Sequence, residues 1–138
     1  MSECVFCNIR DGKLPSMKVY EDERTLAIMD INPLTPGHCL VITKAHAATI
    51  WESAVEDLQA AIATAQKMAK ALQKALEPDG LNVLQANGAA AFQSVFHFHL
   101  HLIPRSEKDG KGFDWTPVPG DRAQIITVGE RVRDLVGE

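Results

Sequence analysis

The chain has 138 residues, 46% of them hydrophobic, enough for one apolar core and too few for two ordinary domains. Its formal charge is −4, with 14 Lys and Arg against 18 Asp and Glu and no basic cluster, which argues against nucleic-acid binding as its main role and favours a small phosphate ester. No apolar run approaches the roughly 20 residues that span a bilayer, and the first residues lack the basic and apolar regions of a leader, so a cytoplasmic protein without a membrane partner is expected.

In chain order, Cys4 and Cys7 supply half of a tetrahedral metal shell, a weak signal until two further ligands are found. Lys18-Val19-Tyr20 and Thr25-Leu26-Ala27-Ile28-Met29 read as two strands joined by a polar turn. Pro33, Pro36 and Gly37 then break the chain before a third, β-branched strand, residues 38–43. Ser53 and Glu56 have the spacing of a capping box, which predicts a helix start. Val55, Leu58, Ile62, Ala65, Ala69, Leu72 and Leu76 then form an apolar stripe that ends at Pro78 and is expected to face the sheet. A second line, Ala54, Ala61, Met68 and Ala75, is read as core, with a subunit contact as the alternative. Residues 81–85 and 95–103 read as the fourth and fifth strands, with a loop over 87–94 between them. Residues 107–120 form a surface loop whose Phe113 and Trp115 need a cover, and 124–136 a short helix. The fold class is α+β: a five-stranded antiparallel sheet with one long helix and a short carboxy-terminal helix. It is read as one domain over 1–138, with the core at about 4–105 and the terminal loop and helix at about 106–138.

The most informative stretch is His97-Phe98-His99-Leu100-His101-Leu102-Ile103. On a strand the three imidazoles share one face and the apolar residues the other. Imidazole attacks phosphorus, shuttles protons and binds metals near neutral pH, and an attacking histidine must hold its proton on the other ring nitrogen by donating to an acceptor such as a backbone carbonyl.

This stretch, with Gln93-Ser94-Val95-Phe96, Asp30-Ile31-Asn32-Pro33, Pro36-Gly37-His38 and the cysteine pair, resembles the histidine-triad (HIT) family of nucleotide hydrolases and transferases, in its bacterial form with an amino-terminal CxxC. The resemblance covers roughly the first three quarters of the chain and implies a homodimer with the two sheets joined across the subunit interface. It implies that His99 is the nucleophile, that His101 touches the phosphate, and that Gln93 and Ser94 bind phosphate, the Ser also passing a proton to the leaving group. It places Asp30 on the ribose and Ile31 on the base. Family members with Gln at the third histidine are transferases, so His101 favours hydrolysis. Two positions depart from the pattern: Phe92 stands where Gly is usual, and Ala86 where many relatives carry an amide, a role neighbouring Asn87 would take over.

The resemblance also implies zinc held by Cys4, Cys7, His46 and His97, against a metal-free pair of buried thiols. Four protein ligands would make it structural. His38 is read as bonded to backbone, Cys39 as a small buried apolar residue, and Lys44 and Arg105 as solvated. The function expected is an enzyme that hydrolyses nucleoside 5′-phosphoramidates or dinucleoside polyphosphates through a nucleotidyl-histidine. The alternative is a nucleotide-binding regulatory module with little catalysis.

Overall fold

In the computed structural model, which describes residues 2–113 and 115–137, the five strands form one antiparallel sheet. They are β1 (Lys18–Glu21), β2 (Thr25–Met29), β3 (Cys39–Thr43), β4 (Gly80–Leu84) and β5 (His99–Arg105), in the order β1-β2-β3-β5-β4. Between β1 and β2 the turn is tied by Asp22, whose Oδ1 accepts from the backbone N–H of Arg24 (2.9 Å) and Thr25 (2.8 Å). Burial raises the Asp22 pKa, but these donors together with the Tyr20 and Thr25 hydroxyls outweigh it and hold the carboxyl down to about 2. All five residues of β3 are buried, as a strand between two covered faces requires.

Helix α2 (Val55–Leu76) covers one face: Ala61, Ala65, Met68 and Leu72 pack on Ala27, Val41, Leu100, Leu102 and Phe98. A short helix, α1 (Val5–Arg10), covers part of the other, where Phe6 and Ile9 pack on Leu26, Ile28, Leu40 and Ile42. The register pairs Ile42 with His99 and Leu40 with His101. Paired residues share a face, so both histidines lie on the α1 side, away from α2.

Several expectations need correction. The capping box does not form: Ala54 is the N-cap of α2 without a side-chain bond, because the Ser53 hydroxyl donates back to the Thr49 carbonyl at 2.8 Å. The buried face of α2 joins Ala65 and Leu72 of the expected stripe to Ala61 and Met68 of the second line, which are core as read, so it is rotated from the stripe as a whole. Ala61, Thr64 and Met68 face the sheet while Val55 and Ile62 are exposed, since small Ala61 and Ala65 permit close approach and the Thr64 hydroxyl meets that of Thr25 at 2.7 Å. Strand β5 begins at His99, so His97 precedes it. Lys44 and Arg105 are not merely solvated. Lys44 pairs with Glu21 (2.9 Å), and Arg105 pairs with Asp109 (2.8 Å) while its guanidinium lies over the Phe113 ring. Cys39 is buried as expected, and burial pushes its thiol up to about 11.

The final helix, α3 (Arg122–Leu135), is capped by Asp121, whose Oδ1 accepts from the Gln124 N–H at 3.2 Å. None of its described residues is buried, and Trp115 ahead of it is exposed. No helix among the described residues is long and apolar enough to cross a membrane.

Candidate active site and metal centre

His99 is buried beneath the edge of the Phe6 ring, with the ring centroids 4.9 Å apart. Its Nδ1 lies 2.7 Å from the His97 carbonyl oxygen. A carbonyl only accepts, so Nδ1 carries the proton and Nε2 bears a lone pair. Burial depresses the pKa of this imidazole, which favours the neutral form. The ring is therefore neutral, fixed in tautomer and basic at the nitrogen that is not engaged with backbone, the state a nucleophilic or base role requires.

His101 lies beside it, ring centroids 5.0 Å apart, and its Nδ1 is 2.9 Å from Nε2 of His38. The Leu34 backbone N–H donates to Nδ1 of His38 at 2.9 Å. That leaves Nε2 of His38 as the protonated nitrogen, donating to His101, so a neutral His101 keeps its own proton on Nε2. Asp30 completes this group: its Oδ2 is 3.4 Å from His38 Nε2, and its Oδ1 accepts from the Asn32 N–H at 2.8 Å. Burial pulls His38 below the usual imidazole range against the attraction of Asp30. Burial, with His99 and His38 nearby, lowers His101 to about 4. The backbone bond expected for His38 is present, but its link to His101 makes it a member of the site that sequence reasoning set aside. The signal lay in register: Leu40 pairs with His101, and His38 is two residues before Leu40 on the same face.

The loop before β5 is braced by amides. Gln93 is buried; its Nε2 donates to the carbonyls of Ala48 (2.6 Å) and Val95 (3.1 Å), and its Oε1 accepts from the Gly88 N–H (2.7 Å). Both its side-chain hydrogens are thus bonded within the protein, and its backbone N–H donates to the Gly88 carbonyl, so Gln93 braces the loop. Asn87 accepts from the Ile50 N–H (2.7 Å) and exchanges bonds with Gln85, fastening the loop to the segment after His46. Ser94 is exposed and lines an open cleft of about 690 Å³ with Val95, Phe96, Cys4 and His46. Ile31 is exposed.

At the opposite end of the histidine row from Asp30, four donor atoms converge. Nδ1 of His97 lies 3.3 Å from Cys4 Sγ, 3.5 Å from Cys7 Sγ and 3.1 Å from His46 Nδ1, and Cys7 Sγ is 3.3 Å from His46 Nδ1. A tetrahedron with zinc–sulfur and zinc–nitrogen bonds of about 2.3 and 2.0 Å has edges of roughly 3.3–3.8 Å, close to this set. His97 Nε2 donates to the Thr43 carbonyl at 2.6 Å, so its Nδ1 lone pair points into the cluster, the arrangement that fixes metal-binding histidines. Burial, then the neighbouring Cys4, raises the Cys7 thiol, a penalty that a cation would reverse. The chemistry and spacing of these residues fit a Cys2His2 metal site.

The fold and this row of imidazoles define a histidine-triad domain, and the comparison with known proteins agrees: residues 11–108 match the HIT domain. The chain belongs to the HIT family. It is similar to the crystal structure of a HIT family member from Bacillus subtilis, with a TM-score of 0.91 at 38% identity over 99% of each chain. It is 39% identical over 134 residues to adenosine 5′-monophosphoramidase hnt1 of Schizosaccharomyces pombe, covering 96% of this chain and 98% of that one. A zinc-bound histidine triad family protein from Mycobacterium smegmatis superposes with a TM-score of 0.77 at 38% identity, over 96% of each chain.

Proposed function

We propose that this protein is a nucleotide hydrolase that cleaves nucleoside 5′-phosphoramidates or dinucleoside polyphosphates through a nucleotidyl-His99 intermediate. The observation that carries the reading is the 2.7 Å bond from His99 Nδ1 to the His97 carbonyl, which leaves Nε2 as a pre-formed nucleophile. The name of the Schizosaccharomyces pombe relative supports the phosphoramidate arm.

In the proposed reaction, Nε2 of His99 bonds to the α-phosphorus as the bond to the departing amine or nucleotide breaks. The Ser94 hydroxyl passes a proton to the departing atom. Water then breaks the phosphorus–nitrogen bond, releasing the nucleoside monophosphate and returning a proton to Ser94. His101, donating from Nε2, stabilises charge on the phosphoryl oxygens, where such a donor is most valuable in the transition state. Asp30 accepts from the ribose hydroxyls, Ile31 lies against the base, Gln93 holds the loop in shape, and Asn87 offers the nucleotide its second Nδ2 hydrogen.

Cys4, Cys7, His46 and His97 are proposed to hold zinc. With four protein ligands the ion has no position left for water, so it contributes folding free energy rather than a nucleophile. A homodimer accounts for apolar surface that the single chain leaves uncovered, at Ile62 and Val83 beside the β4 edge and along α3.

The test is turnover of adenosine 5′-phosphoramidate and diadenosine tetraphosphate by the wild type and His99→Ala. Turnover of either, lost in the variant, with a nucleotidyl adduct on the wild type by mass spectrometry, is the expected result. Nucleotide binding without turnover, unaffected by His99→Ala, would overturn the reading and favour a binding module.

A further inference from the structure

The loop before β5 holds a backbone conformation that its sequence does not suit. Phe92 has φ 69° and ψ 25°, the left-handed region that glycine enters freely and a residue with a Cβ enters at a penalty. Among the described residues nothing offsets that penalty. The ring is 92% exposed, and the backbone bond the residue makes, from its N–H to the Ala89 carbonyl at 3.0 Å, is one a glycine would also make. An apolar ring in strained backbone, left 92% exposed among the described residues, stabilises neither the core nor the loop. Its favourable contact lies with a molecule that visits the loop.

Placement says which part of that molecule. The bonds of Gln93 to Ala48 and of Ile50 to Asn87 fasten the loop against the segment that follows His46, so Phe92 sits on a braced support. That segment is at the Cys4–His46 end of the histidine row, and Asp30 is at the other. A substrate with its ribose at Asp30 and its phosphorus at His99 sends its departing substituent towards Ser94, two residues from Phe92.

Resting on the hydrolase reading above, we infer that Phe92 is a specificity-determining residue whose ring stacks on a flat π-face in the leaving group, an aryl amine or a second nucleobase. Such stacking commonly changes affinity by about tenfold or more. The backbone strain is then the cost of presenting the ring outward, and selection for the leaving group is what it supports.

The experiment compares kcat/KM for three adenosine 5′-derivatives in the wild type, Phe92→Gly and Phe92→Leu. They are the N-methyl phosphoramidate, which has no π-face in its leaving group, the N-benzyl phosphoramidate, and diadenosine tetraphosphate. The expected result is that the benzyl-to-methyl or the tetraphosphate-to-methyl ratio falls about tenfold in both variants. The ratio that falls identifies an aryl amine or a nucleobase as the stacked group. Leucine retains the Cβ and apolar bulk, so its fall separates stacking from loop strain. Ratios unchanged within twofold in Phe92→Gly, or a wild-type ratio in Phe92→Leu, overturn this inference alone. Absence of turnover on all three by the wild type overturns the hydrolase reading and this inference with it.

Discussion

Two replacements of His38 separate its two bonds. The Asn side chain can place an acceptor near the position of the imidazole Nδ1 but has nothing at Nε2, so His38→Asn retains the bond from the Leu34 N–H and deletes the one to His101. Gln extends a donor towards Nε2, so His38→Gln retains the bond to His101 and deletes the one from Leu34. Without its 2.9 Å donor, His101 is free to place its proton on either nitrogen, and its ring orientation loosens; loss of such an orienting partner typically costs about 10- to 100-fold in activity. His38→Asn should therefore lower kcat for adenosine 5′-phosphoramidate by that factor, with KM changed much less. His38→Gln should stay within about threefold of wild-type kcat, yet lose about 1–3 kcal/mol of stability in urea denaturation, since the Leu34 N–H is left without its acceptor. Turnover is followed by phosphorus NMR and normalised to folded protein. A His38→Asn enzyme with wild-type kcat, or a His38→Gln enzyme as impaired as the Asn variant, would refute the role of His38 as the residue that positions His101.

Metal removal should matter to stability first: the purified protein should carry about one zinc per chain by elemental analysis, and Cys7→Ser or chelation should lower Tm by well over 5 °C. Gly37 has φ 92°, and a Cβ there would run into Leu76 and, at 3.0 Å, Pro104. Gly37→Ala should thus cost about 2–4 kcal/mol in urea denaturation. The pH dependence follows from His101. Its folded pKa, about 4, lies below the usual 6.5, so its contribution to stability is complete above pH 6.5 and is lost as pH falls towards 4. Around it stand His99, His38 and Asp30. Between pH 7 and pH 5 the wild type should lose about 1–2 kcal/mol more than His101→Gln, read from denaturation midpoints at the two pH values. Cys39, buried with its thiol raised to about 11, should resist iodoacetamide at pH 8 until the protein is unfolded.

The sheet was legible because its strands are short apolar or β-branched runs set between polar, Gly and Pro turns; β2 and β3, buried along almost their whole length, show no alternation, whereas the histidine stretch that leads into β5 does. Helix α2 was legible in extent but not in rotation, because the seven-residue line through Ala61 and Met68 competes with the one through Ile62 and Ala69, and only the sheet decides between them. The six residues of α1 are too few for helical periodicity to register, and Cys4 rather than a usual capping residue opens it, with Sγ accepting from the Cys7 N–H at 3.4 Å. The link between His38 and His101 was not legible, since it depends on how two strands 63 residues apart slide past one another. Phe92 was visible as an anomaly in sequence, but its meaning needed φ, because a Phe in an extended loop is unremarked and a Phe in left-handed backbone is strained.

His97 joins the two halves of the site, and the join is through different parts of one residue. Its ring belongs to the Cys4, Cys7 and His46 cluster and is anchored to β3 by the Thr43 carbonyl, while its own carbonyl holds His99 in the tautomer that exposes Nε2. His97 lies ahead of β5, where its peptide is held from two sides: the Phe98 N–H of that same peptide donates to the Ala47 carbonyl at 2.8 Å, and the ring contacts of His97 fix the other side, so both set where the carbonyl points. Substituting His97 therefore disturbs the nucleophile without touching it. His97→Ala removes the ring and keeps the carbonyl, so under the proposed mechanism it should retain the nucleotidyl-His99 adduct but form it more slowly, by about 10- to 100-fold, whereas His99→Ala forms none. Single-turnover mass spectrometry distinguishes the two. Adduct formation by His97→Ala at the wild-type rate would show that the carbonyl is held by backbone alone, and that the cluster serves the amino terminus and not the site.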